Sequence, residues 1–276
     1  VTGGKDSVIR FIDLATGQVK KTLRLHKGAI TALQFKPGNP DELYSSATDS
    51  MVYRWNLVSN EMVHWYRGKG KIIYMTVSND GKYMSLTCND GTVTLWNLET
   101  SRTEFSNKVR MYDLEDRKFV PGNFARPAFS PDSRILAYAA DSDSLVMHNC
   151  LTNQYRAYGK RKNDLPWYDI AFSSDGNYMT TRMANGGPVR IYNLSGWDFF
   201  TNGNGLGYRD IKTYYSLPVT VQFSADDNSL YIVDDAIYKA DLRNGSKSRL
   251  HYAYYPFQST SIMLNDSTGI EADLDL

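Results

Sequence analysis

The feature that most constrains this 276-residue chain is that it repeats itself. A short alternating strand that ends in Asp or Asn and is closed by Leu occurs as SVIRFIDL, MVYRWNL, GTVTLWNL, SLVMHNCL, GPVRIYNL and AIYKADL. The closing leucines are Leu14, Leu57, Leu98, Leu151, Leu194 and Leu242, separated by 43, 41, 53, 43 and 48 residues. A second landmark is an apolar strand entering a polar turn, at Phe35-Lys36-Pro37, Val77-Ser78-Asn79-Asp80-Gly81, Phe129-Ser130-Pro131-Asp132, Phe172-Ser173-Ser174-Asp175-Gly176 and Phe223-Ser224-Ala225-Asp226. Its spacings are 42, 52, 43 and 51. Two landmarks that keep step along the whole chain imply one structural unit used repeatedly, each built of short strands and tight turns.

Within a unit the alternation has period two, with Val93 and Leu95 on one face and Thr92 and Thr94 on the other. That pattern predicts half-buried strands and excludes amphipathic helices. Pro, Gly, Asn and Asp gather where the chain must reverse. Four strands fit a unit of this length. In the second they are expected at Ala29 to Phe35, Glu42 to Ala47, Met51 to Asn56 and Glu61 to Tyr66. An aromatic content of 13% suits the pleated surface of strands.

With His26, Ser45, Asp49 and Trp55, the second unit resembles the WD-repeat family. There a loop His, a strand Ser, a turn Asp and a strand Trp form one hydrogen-bonded group in a blade. The third unit keeps Asp90 and Trp96 without the His. Further on the match thins, as Asp6 pairs with Ile12, Asp143 with Asn149 and Asp234 with Ala240, and the fifth unit has Gly186 and Tyr192. The resemblance implies an all-β propeller of four-stranded antiparallel blades, forming a single domain over 1–276. Approximate units are 1–26 plus 258–276, 27–69, 70–108, 109–162, 163–207 and 208–257. Val1 to Leu25 reads as the last three strands of a blade and Thr260 to Leu264 as the missing first strand, so N- and C-terminal strands would close a ring of six. Seven blades is the alternative, because the fourth unit holds VRMYDLEDRKF, whose VRMYDL copies the VRIYNL of the fifth.

Enzyme chemistry is not expected, and no catalytic residue is assigned. Of four histidines, His26 belongs to the repeat, His148 to a strand, and His64 and His251 share no metal-ligand spacing with them. No Gly-rich phosphate loop, serine elbow or paired-cysteine motif is present. Asp141 and Asp143 lack the further oxygen ligands of a calcium loop, so neither metal nor cofactor is expected. Cys88 and Cys150 read as small buried apolar residues. Asn-x-Ser sequons at Asn193, Asn244 and Asn265 are frequent by chance in such a sequence. No apolar run approaches the length needed to span a bilayer, so no membrane partner is expected; the two cysteines fit a reducing compartment, and the protein is expected inside the cell, in cytoplasm or nucleus. The AFSPDSRILAYAADSDS segment is also similar to propellers attached to prolyl peptidases and periplasmic translocation proteins. There the propeller is a gate and not the catalytic part.

A net charge of +1 removes bulk attraction to nucleic acid or membrane, so a charged partner must be met by a local patch. In the WD-repeat family one rim carries the loops between blades and the turns that hold the Asp. Here that places Thr48 and Asn89 in the turns and makes the loops basic: Arg24, His26 and Lys27; Arg67, Lys69 and Lys71; Lys108 and Arg110; Lys160, Arg161 and Lys162; Arg209 and Lys212. Such a rim would receive an acidic peptide or a phosphate backbone, although Lys and Arg are also ordinary solvated loop residues. Trp167 and Tyr168 are candidate peptide anchors or blade-packing aromatics. Phe199 and Phe200, in the long loop from Trp197 to Tyr215, form a second docking candidate. The function expected is a non-catalytic protein-interaction scaffold within a multiprotein complex. A nucleic-acid-associated propeller or a peptidase gate domain is the alternative.

Overall fold

The structure is a computed structural model. It describes residues 1–109, 111–113, 118–120, 126–140, 144–158, 167–183, 188–196, 207–212, 220–233, 236–252, 263–265 and 269–271. Among these every regular element is a strand. Five antiparallel sheets of four strands follow one another along the chain, preceded by one of three strands, and in each the strands pair in sequence order. The second sheet has Ile30–Lys36, Asn39–Ala47, Met51–Asn56 and Glu61–Arg67, within a few residues of the expected bounds. The first sheet has Thr2–Gly3, Val8–Ile12 and Val19–Arg24, the three strands read from the sequence.

Two further hairpins lie outside this series. Met111–Asp113 pairs with Lys118–Val120, so among the described residues the copied VRMYDL segment forms a two-stranded hairpin. Met263–Asn265 pairs with Gly269–Glu271. The closing strand expected at Thr260 to Leu264 falls mostly outside the described residues.

Both landmarks are turn devices. At the hairpin between third and fourth strands, the Asp or Asn side chain accepts the backbone N–H groups two and three residues on. Asn56 does so from Val58 and Ser59 at 2.9 and 3.0 Å, Asn97 from Glu99 and Thr100, Asn149 from Leu151 and Thr152, and Asp241 from Arg243 and Asn244. At the turn between first and second strands, Ser78, Ser130, Ser173 and Ser224 each donate to the Asp two residues on at 2.6 Å. The same hydroxyls accept the N–H that opens the next strand, from Tyr83, Ile135, Tyr178 and Ser229 at 2.9 to 3.0 Å. The second sheet uses Pro37 and Gly38 instead.

The chain divides into two compact units, Val1–Pro166 and Trp167–Leu276. In the first, consecutive sheets pack face to face. Ile9, Leu23, Leu43 and Trp55 form one apolar layer, Tyr44, Val52, Tyr66, Ile72, Met84 and Leu86 the next, and Val93, Leu95, Leu136, Tyr138 and Val146 a third. In the second unit Val189, Ile191, Leu230, Ile232 and Tyr238 do the same. Each fully buried side chain of this size contributes about 1.5–3 kcal/mol. A sheet with neighbours on both sides has no solvent face, which corrects the expectation of half-buried strands. Thr92 and Thr94 are as buried as Val93 and Leu95.

One register assignment also needs correction. Across the second and third strands Leu43 faces Trp55, Met84 faces Trp96, Leu136 faces His148, Met179 faces Tyr192 and Leu230 faces Ala240. His148, not Asn149, therefore holds the Trp position of the fourth sheet, and Cys150, not Leu151, holds the closing Leu position. Cys150 is buried whereas Leu151 is 65% exposed. A small apolar Cys substitutes for Leu there, and a one-residue slip exchanges the two faces of a strand.

Candidate interaction rim and its polar clamp

In the second sheet the four residues that carry the family pattern meet. Imidazole Nδ1 of His26 lies 3.0 Å from Asp49 Oδ2, and its Nε2 lies 2.8 Å from Ser45 Oγ. The Trp55 indole N–H donates to the same Ser45 oxygen at 2.8 Å. With burial disfavouring the imidazolium, one set of protons satisfies all three bonds: Nδ1–H donates to Asp49, Ser45 donates to Nε2, and Trp55 donates to Ser45. The histidine is then neutral, and burial lowers its pKa despite the Asp49 carboxylate beside it. Asp49 does more than hold the ring. It accepts the backbone N–H of Lys27 at 2.7 Å and of Met51 at 3.0 Å, tying the loop before the first strand to the turn after the second.

That loop and turn touch closely. A Cβ on Gly28 would stand 2.5 Å from Thr48 Oγ1 and 2.6 Å from Asp49 N, so only Gly fits without moving backbone. Thr48 N–H donates to Ala29 O at 2.9 Å, closing the same corner.

The third sheet keeps the Asp turn and loses the clamp. Asp90 accepts from the Thr92 amide at 3.0 Å and the Thr92 hydroxyl at 2.9 Å, and Lys108 Nζ stands 3.6 Å away. Two residues past Met84, where Ser45 would correspond, stands Leu86. Among the described residues the Trp96 indole N–H has no partner, nor have the buried hydroxyls of Ser85 and Thr87. Asp6 repeats the turn in the first sheet, accepting from Val8 N–H. Asp143, Gly186 and Asp234 lie outside the described residues.

Several predicted rim residues come together at one end of the second and third sheets. Arg67 pairs with Met51, next to the Asp49 turn, and the following Gly68 donates to Ser50 O at 2.8 Å. Lys71 O accepts from Asn89 N–H at 2.8 Å, beside Asp90. Lys27, Arg67, Lys69, Lys71 and Asn89 are exposed, and Thr48 is half-buried. Asp49 is engaged in the clamp and Asp90 faces Lys108, whereas Lys27, Arg67, Lys69 and Lys71 make no salt bridge among the described residues.

Of the remaining candidates, Arg209, Trp167 and Tyr168 belong to the second unit. Arg209 sits in a strand, Tyr208–Ile211, paired with Ile191, and its guanidinium donates to Arg243 O at 3.0 Å. It is therefore not a loop residue, and the long loop expected from Trp197 to Tyr215 contains the outer strand of the fifth sheet. The Gly-rich stretch before it hid the strand. Trp167 and Tyr168 lie in the strand Trp167–Phe172. Arg110, Asp141, Lys160, Arg161, Lys162, Phe199 and Phe200 lie outside the described residues. Cys88 and Cys150 are buried free thiols, and burial pushes the Cys88 thiol up and that of Cys150 up to about 12, so neither is a nucleophile. No cluster of potential metal ligands occurs among the described residues, and none of their helices is long and apolar enough to cross a membrane.

The sequence carried no signal for one set of bonds that joins neighbouring turns. Asp80 N–H donates to Ser133 Oγ at 3.0 Å, and in the second unit Asp175 N–H donates to Asp227 Oδ2 at 2.8 Å. Ser133 and Asp227 both sit at positive φ, a conformation that tandem Asp-Ser and Asp-Asp pairs hint at only weakly.

Comparison with known proteins follows the same lines. The family model of the WD domain, G-beta repeat, matches residues 60–97, from the outer strand of the second sheet to the third strand of the third. A p21-activated protein kinase-interacting protein 1-like from Gallus gallus is 23% identical over 228 residues, 70% of this chain and 60% of that protein. The small ribosomal subunit protein RACK1 of Candida albicans is 33% identical over 92 residues, 31% of this chain and 29% of that protein. This chain thus spans less than two thirds of either relative. The β-propeller domain of Cps50 (Swd1) from Myceliophteria thermophila superimposes with a TM-score of 0.65 at 14% identity, covering 89% of this chain and 80% of that one. Repeat spacing, clamp geometry, sheet order and these likenesses agree: the chain carries a match to the WD repeat over residues 60–97 and is similar in fold to a WD-repeat β-propeller.

Proposed function

We propose that the protein is a non-catalytic scaffold that docks protein partners through the rim bearing Lys27, Thr48, Arg67, Lys71 and Asn89, and that the segment it receives is acidic. One observation carries this: Lys27, Arg67, Lys69 and Lys71 stand exposed without a carboxylate partner at one end of two adjacent sheets, with the Lys27 backbone fixed by Asp49 and that of Lys71 by the Asn89 turn. Uncompensated charge on a rigid base attracts an oppositely charged partner chiefly by raising the on-rate. The relatives support a role in assemblies, since their names describe a kinase-interacting protein and a ribosomal subunit protein. Such a role places the protein in the cytoplasm or nucleus.

The test is a charge-reversal set, Arg67→Glu and Lys71→Glu, extended to Lys160→Glu and Arg161→Glu. Binding of an acidic peptide is followed by titration at several salt concentrations. Association should weaken by at least tenfold and lose most of its salt dependence. Unchanged affinity and salt slope would reject the rim. Preferential binding of a duplex oligonucleotide, with affinity falling steeply with salt, would replace the peptide by nucleic acid.

A further inference from the structure

The outer strand of a sheet has one unpaired edge, and proteins usually guard it with charged side chains inside the strand. Five of the described outer strands do so, with Lys20 and Lys21, Glu104, Arg156, Arg209 and Asp210, and Arg249. Glu61–Arg67 does not: between its terminal residues it reads Met-Val-His-Trp-Tyr. Met62, Val63 and Trp65 are 36%, 48% and 54% exposed, the only cluster of three exposed large apolar side chains in one strand among the described residues.

The charges at its two ends are opposite. Glu61, Val63, Trp65 and Arg67 are all exposed, in that order. If a second copy of the strand runs antiparallel about a twofold axis through His64, Glu61 of each copy meets Arg67 of the other and Val63 meets Trp65. A surface that complements itself under a twofold is what an isologous contact requires, and neither Glu61 nor Arg67 makes a salt bridge among the described residues. The geometry points to a second copy of this chain as the occupant of the strip. The register shifts at Val63, and a bulge there opposes extension of the hydrogen-bonded ladder, so the copies meet through side chains. A strip one strand long covers less than the ~1,200 Å² of a standard interface, and self-association is correspondingly weak and concentration-dependent. Arg67 is shared with the basic rim, whereas Glu61, Val63 and Trp65 are not, and a readout by mass without an acidic ligand, with Trp65→Glu as its main variant, keeps failure of the two readings distinguishable.

Sedimentation equilibrium of the chain over a wide concentration range tests it. The weight-average mass of the wild type should rise toward twice the monomer, and Trp65→Glu should hold it at the monomer. Arg67→Glu alone should also give monomer, by opposing two carboxylates, while Glu61→Arg combined with Arg67→Glu should restore association. Circular dichroism of each variant confirms the fold, and Val63→Lys replaces Trp65→Glu if that variant does not fold. A wild type that stays monomeric overturns the inference, as does association that survives Trp65→Glu and Val63→Lys or that the double charge swap does not restore.

Discussion

The second and third sheets carry the same Asp and the same Trp, yet only the second joins them. In the second, His26 and Ser45 bridge Asp49 to Trp55. In the third, Leu86 stands where the bridge would need a hydroxyl, and Trp96 is left with an unpartnered N–H. The Trp position therefore survives as an apolar packing element, through contacts such as the edge-on approach of Trp96 to Tyr66 at 5.3 Å. The Asp position survives as a turn device. Their connection is a separate addition, and it adds rigidity only where all four members are present.

The largest effect should come from removing the carboxylate on each side of this comparison. Asp49→Ala strands the buried His26 Nδ1–H, a loss of ~1–3 kcal/mol, and also releases the part-buried amide of Met51 and the exposed amide of Lys27. Asp90→Ala releases only Thr92 and a distant Lys108. Urea unfolding should show a loss of about 3 kcal/mol for the first and about 1 kcal/mol or less for the second. Equal losses would mean that the clamp adds nothing to the turn.

Next in size is the close approach of loop and turn. Gly28→Ala drives a methyl into Asp49 N and Thr48 Oγ1, and the backbone cannot turn aside. Gly70→Ala meets the end of the Asn89 side chain at 2.9 Å, which can rotate away. A cost of ~2 kcal/mol against a few tenths is expected. If the two substitutions prove alike in thermal midpoint, the corner at Gly28 is looser than its contacts imply.

Replacing each indole by a phenyl ring sharpens the comparison further. Trp55→Phe deprives Ser45 of its donor and should cost ~1–2 kcal/mol beyond the change in packing. Trp96→Phe removes an N–H that has no partner, so lost packing is offset by relief of a buried polar group and the net change should be smaller. A Trp96→Phe variant less stable than Trp55→Phe would contradict the orphaned state of that N–H.

Much of the fold was legible because its landmarks are turn chemistry: Asx side chains capping the outer hairpin and Ser-x-Asp capping the inner one. The clamp was legible too, since neither turn chemistry nor core packing alone calls for a His, a Ser, an Asp and a Trp at those offsets. The slip at His148 arose because Cys150 performs the packing of a Leu while a real Leu, exposed, follows it. Arg209 was misplaced because the Gly-rich stretch before it looks like loop although Tyr208–Ile211 pairs as a strand. The missing acceptor for Trp96 could have been read from Leu86 once the strands were aligned. The bonds from Asp80 to Ser133 and from Asp175 to Asp227 could not, because they join residues more than fifty positions apart whose proximity depends on how neighbouring sheets pack.

The smallest effect distinguishes a neutral clamp from an ionic one. Burial holds the folded-state pKa of His26 below the ordinary value of ~6.5. The unfolded chain therefore binds a proton that the folded clamp excludes. Stability from this histidine is complete above pH ~6.5 and is lost as pH falls from there toward the folded value. His26→Asn removes the titration along with the clamp. The difference in unfolding free energy between wild type and variant should shrink, by less than ~1 kcal/mol, as pH falls from ~7.5 to ~5.5. His148, also lowered by burial, is present in both proteins and cancels. A difference that grows toward acid pH would show that His26 gains a proton on folding, and the ion pair with Asp49 would then replace the neutral relay through Ser45.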